Sequence, residues 1–589
     1  MNNRTLLIFI LQILTIPLLF SQNTRENVSG IWNQPEYIIE SDIVIASGDI
    51  LIIQEGVTVK FNGNYKFEII GSLFVLGSEN SKVIFEPTAT VQFWQGVVFM
   101  DYNWENNISQ LNYLEIKNCN DINGGGMSIL HYSNLLIDNL KISNCSAELG
   151  GGIYLSFAHP IIRNTEICNN FASVSGGGIY SHHCNLALEN SFIHHNEAEI
   201  SAGGAYFDYN RPSVTNCVFE YNTTQGYGGG IFTKDHYLDS EITNCIFRNN
   251  SAEMRGGAYY SDSGQMYIFS SQFEENYSYF GGACYLTDSS LSYTNCIFNN
   301  NNSEFGGAIH LNDASPKFIN CLFSYNQSDF GGAVYSAGYS SAKFINSTFV
   351  RNNAIYGGGA YYAISDFNVE IYNSIFYFNT SDEDVQNQIY IGSSSSGTYI
   401  KYSAIQFGSD GIYCHPVNIQ PPYFENNIFS DPQFADSYND FTLLSSSPCI
   451  NSGTLDLPIG IELPEYDLDG NLRIYEDIID MGCYEWQGTG TTDDFILIAG
   501  SKLSNYPNPF NPTTTIKFEL AESGKIDLSI YNIKGQKVKT LINTFTKRGQ
   551  LEINWNGKDN HGKSVASGQY VVKLQHNGKE TATKIMLLK

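Results

Sequence analysis

The sequence predicts an all-β protein, a right-handed parallel β-helix followed by a small C-terminal β-sandwich. Two marks that recur at one period carry this expectation. An aromatic or aliphatic residue is followed, after two variable residues, by Asn; about six residues on comes a Gly pair and a small residue. The Asn column is Asn170, Asn196, Asn222, Asn250, Asn276, Asn301, Asn326, Asn352 and Asn379, and the second glycine of each pair is Gly151, Gly177, Gly204, Gly229, Gly257, Gly282, Gly307, Gly332 and Gly359, both stepping by 25 to 28 residues. The units show no helical pattern, only short β-branched and aromatic runs broken by Asn and Gly, which fit three strands and three turns stacked as a solenoid. Composition agrees: 15% charged residues, 14% aromatic residues and 53 Gly make a β-rich, turn-rich chain whose aromatic content argues against disorder.

From the N-terminus, residues 1–22 read as a secretory signal peptide: Arg4 precedes the apolar run Leu6 to Phe20, which is short for a membrane span. The mature chain is expected to be exported, with no membrane span. Residues 23–426 form the helix, with Ile31 to Gln54 expected as an N-terminal cap, because an uncovered end coil leaves a row of unpaired backbone groups. In each repeat two Asn columns mark corners, since Asn tolerates the left-handed conformation and its amide can bond to its counterpart one coil away. The second column is Asn164, Asn190, Asn216, Asn244, Asn295, Asn320, Asn346 and Asn373, broken by Ser270. The Gly pair supplies a third corner that needs positive φ. Between corners, Phe219, Phe247, Phe273, Phe298, Phe323, Phe349 and Phe376 stack as an interior column. At about 4.8 Å per coil, roughly fifteen coils make a rod of about 70 Å. Residues 427–486 are expected to cap its C-terminal end, 487–503 to be a polar linker, and 504–589, with alternating strands between Gly and Asn turns, to be the sandwich.

Net charge is -28 and unevenly placed: residues 501–589 hold 14 of the 31 Lys and Arg but 6 of the 59 Asp and Glu. The acidic body makes nucleic acid an unexpected partner, because phosphate binding is dominated by Lys and Arg.

Literal GGAI at Gly306 to Ile309 and FNNN at Phe298 to Asn301 resemble the repeats of polymorphic outer-membrane adhesins and of β-helix proteins of the pectate-lyase-like superfamily, over Gly124 to Asn379. The chain departs from the adhesins in having no large C-terminal barrel pattern. The tail, with NYPNPFNPTTTIKFEL, GKSVASGQYVVKL and a final KIMLLK, resembles the C-terminal sorting domain of type IX secretion over Ser504 to Lys589. That resemblance implies export to the medium or the outer surface of a Gram-negative bacterium, with the tail read by the secretion machinery. A polysaccharide or cell-surface ligand is the implied partner. The first functional reading is a non-catalytic, adhesin-like or glycan-binding surface protein; the alternatives are an extracellular polysaccharide lyase or glycoside hydrolase, and a purely structural surface element.

Three residues past the second glycine lies an aromatic file, Tyr154, Tyr180, Phe207, Phe232, Tyr260, Tyr285, His310, Tyr335 and Tyr362, expected to point outward because the residues before it are mostly aliphatic. Flat rings one coil apart either stack against a long polysaccharide or stiffen the sheet by stacking on each other. An acidic series, Asp208, Asp235, Asp262, Asp288 and Asp313, with Arg211, Lys234 and His236 nearby, would suit a calcium-assisted lyase if it converged, and otherwise consists of solvated turn residues. DLDGN at Asp467 to Asn471 reads as a tight turn with the beginning of a calcium loop. No cofactor is expected, calcium being the one ion these acids could hold. Adjacent His182 and His183, and His194 and His195, point to opposite faces, so no metal site is expected from them. No catalytic residue is assigned. Of the 12 Cys, the stacked pairs Cys119 and Cys145, Cys217 and Cys245, and Cys296 and Cys321 are expected as buried thiols, and Cys449 with Cys483 as a possible disulfide.

Overall fold

The computed structural model describes residues 25–487 apart from 102–106, 237–239, 365–367, 383–387, 393–397, 415–422 and 476, and residues 503–587 apart from 509, 521–523, 533, 535, 548 and 577–578. The expected signal peptide and almost all of the expected linker lie outside the described residues.

The chain winds through three long parallel sheets of 16, 16 and 15 strands. One coil shows the pattern: Ile153–Ser156 in sheet 1, Ile161–Arg163 in sheet 2, Glu166–Cys168 in sheet 3 and Phe171–Ser175 in a short fourth sheet. Each strand pairs in parallel with its counterpart on the next coil, Ile153 beside Ile179, Ile161 beside Ala187 and Glu166 beside Phe192. Alternation decides which side chains enter the lumen, so Ile153 and Leu155 are buried while Tyr154 and Ser156 face out.

The two Asn columns do different work. Residues of the second column stand at the bends themselves, with φ of 51° at Asn164, 55° at Asn216 and 58° at Asn320, and Ser270 takes the same conformation at 48°. Residues of the first column point into the lumen, and the left-handed residue is the one before each of them: Asn169, His195, Tyr221, Asn249, Glu275, Asn300, Tyr325, Arg351 and Phe378. Their amides form a continuous ladder. Asn250 Nδ2 donates to Asn276 Oδ1 at 3.1 Å, Asn276 to Asn301 at 3.0 Å and Asn301 to Asn326 at 3.0 Å. Each amide also donates to a backbone carbonyl and accepts a backbone N–H, so these buried groups are paired. Gln388 takes the last rung from Asn379 at 3.0 Å.

The glycine corner also divides its labour. The first glycine carries positive φ, 68° at Gly228 and 74° at Gly306. The second is required by proximity: a Cβ on Gly307 would lie 2.1 Å from Gly332 O. One coil departs from the expected register. Ala202 takes the left-handed position with φ 58°, and Gly203, not Gly204, aligns with Gly177 and Gly229.

The lumen is filled by stacked rows. Phe219, Phe247, Phe273, Phe298, Phe323, Phe349 and Phe376 stand 4.4 to 5.1 Å apart with nearly parallel rings. Beside them runs a row of Cys and Ser. Ser347 Oγ accepts Cys321 N–H at 3.4 Å, and Ser374 Oγ accepts Ser347 N–H at 3.1 Å. All 12 cysteines are free thiols.

Both expected caps are corrected. Gly30–Trp32 belongs to the first coil and pairs with Ile50–Gln54 of the second, so residues 31–54 run through the first two coils of the stack, with Trp32 stacked on Tyr37 at 4.5 Å. Asn427 and Ile428 still lie on the end coil, where Asn427 Oδ1 accepts Ser403 N–H at 2.9 Å, and the rest of 427–486 runs back along the outer face of sheet 3. There Phe434, Phe441, Leu443, Cys449, Met481 and Cys483 pack on Leu322, Val350 and Ile375, while Tyr466 O accepts Asn295 Nδ2 at 3.3 Å and Asp480 O accepts Asn346 Nδ2 at 2.9 Å. The expected disulfide is not formed. Both thiols are free, and the backbone N–H of Cys449 donates to Ser447 Oγ and that of Cys483 to Thr348 Oγ1, each at 3.1 Å. Asp467 closes the DLDGN turn by accepting the N–H groups of Asp469 at 2.9 Å and Asn471 at 2.8 Å.

The tail folds as two antiparallel sheets. One holds Ser504–Tyr506, Thr514–Leu520 and Gly549–Trp555, and the other Lys537–Thr546, Gly524–Asn532, Gly568–His576 and Lys579–Leu587. Ile516, Phe518, Ile526, Leu528, Trp555, Val572 and Leu574 form the core between them. Among the described residues no helix is long and apolar enough to cross a membrane.

Candidate functional site

Sheet 1 carries the aromatic file, extended beyond the residues read from the sequence. Tyr154, Tyr180, Tyr206, Phe232, Tyr260, Tyr285, His310, Tyr335, Tyr362, Tyr390 and Tyr413 follow one another at centroid distances of 4.2 to 5.6 Å. Phe207 is not among them. It is fully buried in the lumen, and Tyr206 takes its place, because Tyr206 pairs with Tyr180 and Phe207 with Ser181. This is the one-residue slip at Ala202, and with a period of two such a slip exchanges inside for outside.

The file is not uniformly open. A second row, next to the glycine corner, reads Asn123, Leu149, Ser175, Ser201, Tyr227, Arg255, Phe280, Phe305 and Phe330. From Tyr227 onward these side chains lean over the file: Phe280 meets His310 edge-on at 5.1 Å, Phe305 meets Tyr335 at 5.2 Å, and the Arg255 guanidinium lies 4.9 Å from the Tyr285 ring. Phe232, Tyr260, Tyr285, His310 and Tyr335 are consequently buried, at 5 to 8% exposure. Burial pushes the His310 imidazole down to about 3. These five form a second hydrophobic layer outside the lumen and not a free surface.

Rings stay partly accessible towards both ends of the file, at Tyr154, Tyr180 and Tyr206 near the small residues Ser175 and Ser201, and again at Tyr362, Tyr390 and Tyr413. Tyr154, Tyr180 and Tyr206 are half-buried and stacked at 5.5 and 4.9 Å. Two residues further along the same strands stand Ser156, His182, Asp208 and Lys234 in register. His182 Nδ1 and Asp208 Oδ2 are 2.9 Å apart, and Asp208 Oδ1 is buried without a partner among the described residues. The adjoining corner adds His131, Phe157, His183 and Tyr209, stacked ring on ring at 4.9 to 5.3 Å. On the other side of the glycine corner lies an open groove of about 810 Å³ lined by amides, carboxyls and two rings, among them Asn64, Gln95, Asn120, Glu148, Phe93 and Phe171.

The acidic series does not converge. Asp208 and Asp262 face out on sheet 1, with Lys234 between them in register. Asp235, Asp288 and Asp313 occupy left-handed corner positions with φ of 48°, 48° and 54°. His236 is buried, and burial lowers it to about 4. Tyr206, the covering row and the corner rings escaped the sequence reading. The serines opposite Tyr180 and Tyr206 were the available signal for where the file opens.

A family model described as a right-handed β-helix region matches residues 95–236, 137–291 and 224–349, so the parallel stack is a right-handed β-helix. A second model, an FlgD Ig-like domain, matches residues 504–580 of the tail. Among solved structures the chain is similar to pectate lyase Pel9A, at 11% identity and TM-score 0.30, covering 75% of this chain and 88% of that one. It is similar also to a double mutant of the tailspike protein of E. coli bacteriophage HK620, at 10% identity and TM-score 0.27, covering 93% and 86%. A third similarity is to tailspike protein 4 of bacteriophage CBA120, at 11% identity and TM-score 0.25, covering 92% and 64%. No curated protein matches.

Proposed function

We propose that the protein is an exported, non-catalytic glycan-binding surface protein that holds a polysaccharide along the uncovered part of sheet 1. The observation that carries this reading is the file Tyr154, Tyr180 and Tyr206, half-buried with edges at the surface and flanked by His182, Asp208 and Lys234. The rings stack on one another, so they turn their edges and phenol hydroxyls outward at a fixed spacing, and with the adjacent polar row they offer donors and acceptors to the hydroxyls of successive sugars. Export and sorting through the tail belong to the same proposal, supported by the signal-like N-terminus and the tail motifs. The test is a glycan array probed with the mature protein, then with the Tyr154→Ala, Tyr180→Ala, Tyr206→Ala triple variant. Loss of about tenfold or more in affinity is expected from three lost ring contacts; unchanged binding would refute the strip.

A second reading is a polysaccharide-cleaving enzyme, favoured by the line Asp208, Lys234, Asp262 on one face. Neighbouring coils are about 4.8 Å apart, which places the two carboxylates about 10 Å from each other, at the upper limit for an acid and base working across one bond. Product release from polysaccharides that the array identifies, abolished in Asp208→Asn, would establish this reading over the first.

A further inference from the structure

The outer face of sheet 3 carries a cluster that the tyrosine strip does not use. Glu166 and Cys168 lie two residues apart on one strand, and His194 stands beside Cys168 on the next coil. Glu166 Oε1 is 3.3 Å from His194 Nε2 and 3.6 Å from Cys168 Sγ, and the three donor atoms all lie within 4.8 Å of one another. Cys168 differs from the cysteines that fill the lumen: it is buried, yet it belongs to no hydrophobic cluster and its thiol faces a carboxylate and an imidazole. An apolar filler has no reason to be there.

The spacing fits a particular chemistry. Zinc–ligand distances of about 2.3 Å to sulfur and about 2.0–2.1 Å to nitrogen or oxygen give tetrahedral edges of about 3.5 Å between sulfur and oxygen and about 3.4 Å between nitrogen and oxygen. The observed 3.6 and 3.3 Å match these edges. The other ring nitrogen of His194 is also held, with Nδ1 2.9 Å from His195 Nδ1. A proton on His194 Nδ1 donated to His195 leaves the Nε2 lone pair directed at the cluster, the arrangement typical of a metal-ligating histidine. Phe192 stacks on the His194 ring at 4.0 Å and fixes its plane.

We propose that Glu166, Cys168 and His194 form a three-ligand site for zinc or a similar borderline-soft divalent ion, with a fourth position open on the outer face of sheet 3. The reading made from adjacent histidines missed it because the partners of His194 lie one coil back. Without metal, Lys141 Nζ occupies Glu166 Oε1 at 2.8 Å, so lysine and metal compete for the carboxylate.

The test uses the mature full chain, reduced and stripped with a chelator, then titrated with Zn²⁺ by calorimetry and with Co²⁺ by absorbance. One equivalent is expected, with a thiolate-to-cobalt charge-transfer band. Cys168→Ser should abolish the band, His194→Ala should weaken zinc binding by about a hundredfold, and Lys141→Ala should tighten it. Circular dichroism of the metal-free variants checks that they fold. Absence of stoichiometric binding in the parent, or binding that survives both Cys168→Ser and His194→Ala, overturns the proposal.

Discussion

At the scale of single residues, stability rests on a few side chains whose partners lie one coil away. Asn276 illustrates this: its Oδ1 accepts both N–H and Nδ2 of Asn250, at 3.0 and 3.1 Å, while its Nδ2 donates to Phe247 O and Asn301 Oδ1. Asn276→Ala leaves several buried polar groups unpaired at once, and each costs about 1–3 kcal/mol. The expected loss is about 3 kcal/mol or more in denaturant unfolding, with hydrogen exchange rising first in the coils on either side. His310 makes a different prediction, because a ring of the aromatic file titrates only when it leaves the file. Its value falls from the ordinary 6.5 to about 3 through burial, with Arg255 adding a smaller push in the same direction. Below pH 6.5 the unfolded chain takes up a proton that the folded chain refuses, so this contribution is intact above 6.5 and is lost as pH falls toward 3. His310→Tyr keeps a ring between Tyr285 and Tyr335 and removes the titration. By pH 5 the variant should gain about 2 kcal/mol over the parent relative to their difference at pH 7; parallel stability curves across that range would disprove the buried neutral imidazole.

At the scale of elements, the returning segment 427–486 is held by cationic side chains, Lys317 and Arg351 at its edges and the fully buried Arg473. Arg473 Nη2 lies 3.0 Å from Glu485 Oε2, both side chains being inaccessible, and the guanidinium also donates to Asn320 Oδ1 at 3.1 Å and Asp480 O at 2.8 Å. Removing one member of a buried pair strands the other, at a cost of about 3–5 kcal/mol. Arg473→Ala should therefore loosen the segment from sheet 3, and hydrogen exchange should rise in Leu322–Ser324 and Thr348–Val350 while strands before Ile246 stay protected. Uniform destabilisation along the whole rod would contradict this local anchoring. This segment was the least legible element. Its composition announced a closing piece, but its path is set by contacts across 81 to 171 residues, such as Asn373 to Thr454 and Asn295 to Tyr466, which no local pattern encodes.

At the scale of the whole molecule, the repeated coils were legible because each is a local solution copied at a fixed period. The amide ladder and the phenylalanine row lie where the period put them, and so does the glycine corner in every repeat but the one at Ala202. The candidate site was legible only in part, and the slip at Ala202 shows why. One alanine replacing glycine moved the apparent register by a residue, which was enough to name Phe207 in place of Tyr206. Exposure was illegible for another reason: whether a tyrosine of the file is open depends on a neighbour from the glycine corner, Ser201 beside Tyr206 but Arg255 near Tyr285. The same modularity gives the last prediction. In a solenoid, stability is the sum of coils and nearest-neighbour interfaces, so a whole coil can be removed if the cut joins equivalent positions. Asn250 and Asn276 are equivalent rungs of one ladder. Deleting residues 251–276 brings Phe232 against Tyr285 and Phe247 against Phe298, pairings of the same kind as those lost. The shortened chain should fold, unfold cooperatively and measure about 5 Å less in length by small-angle scattering. Deleting half of the same interval, 251–263, exchanges one sheet for another in every later coil and should prevent folding. If both deletions behaved alike, the coil would not be the unit on which this molecule is built.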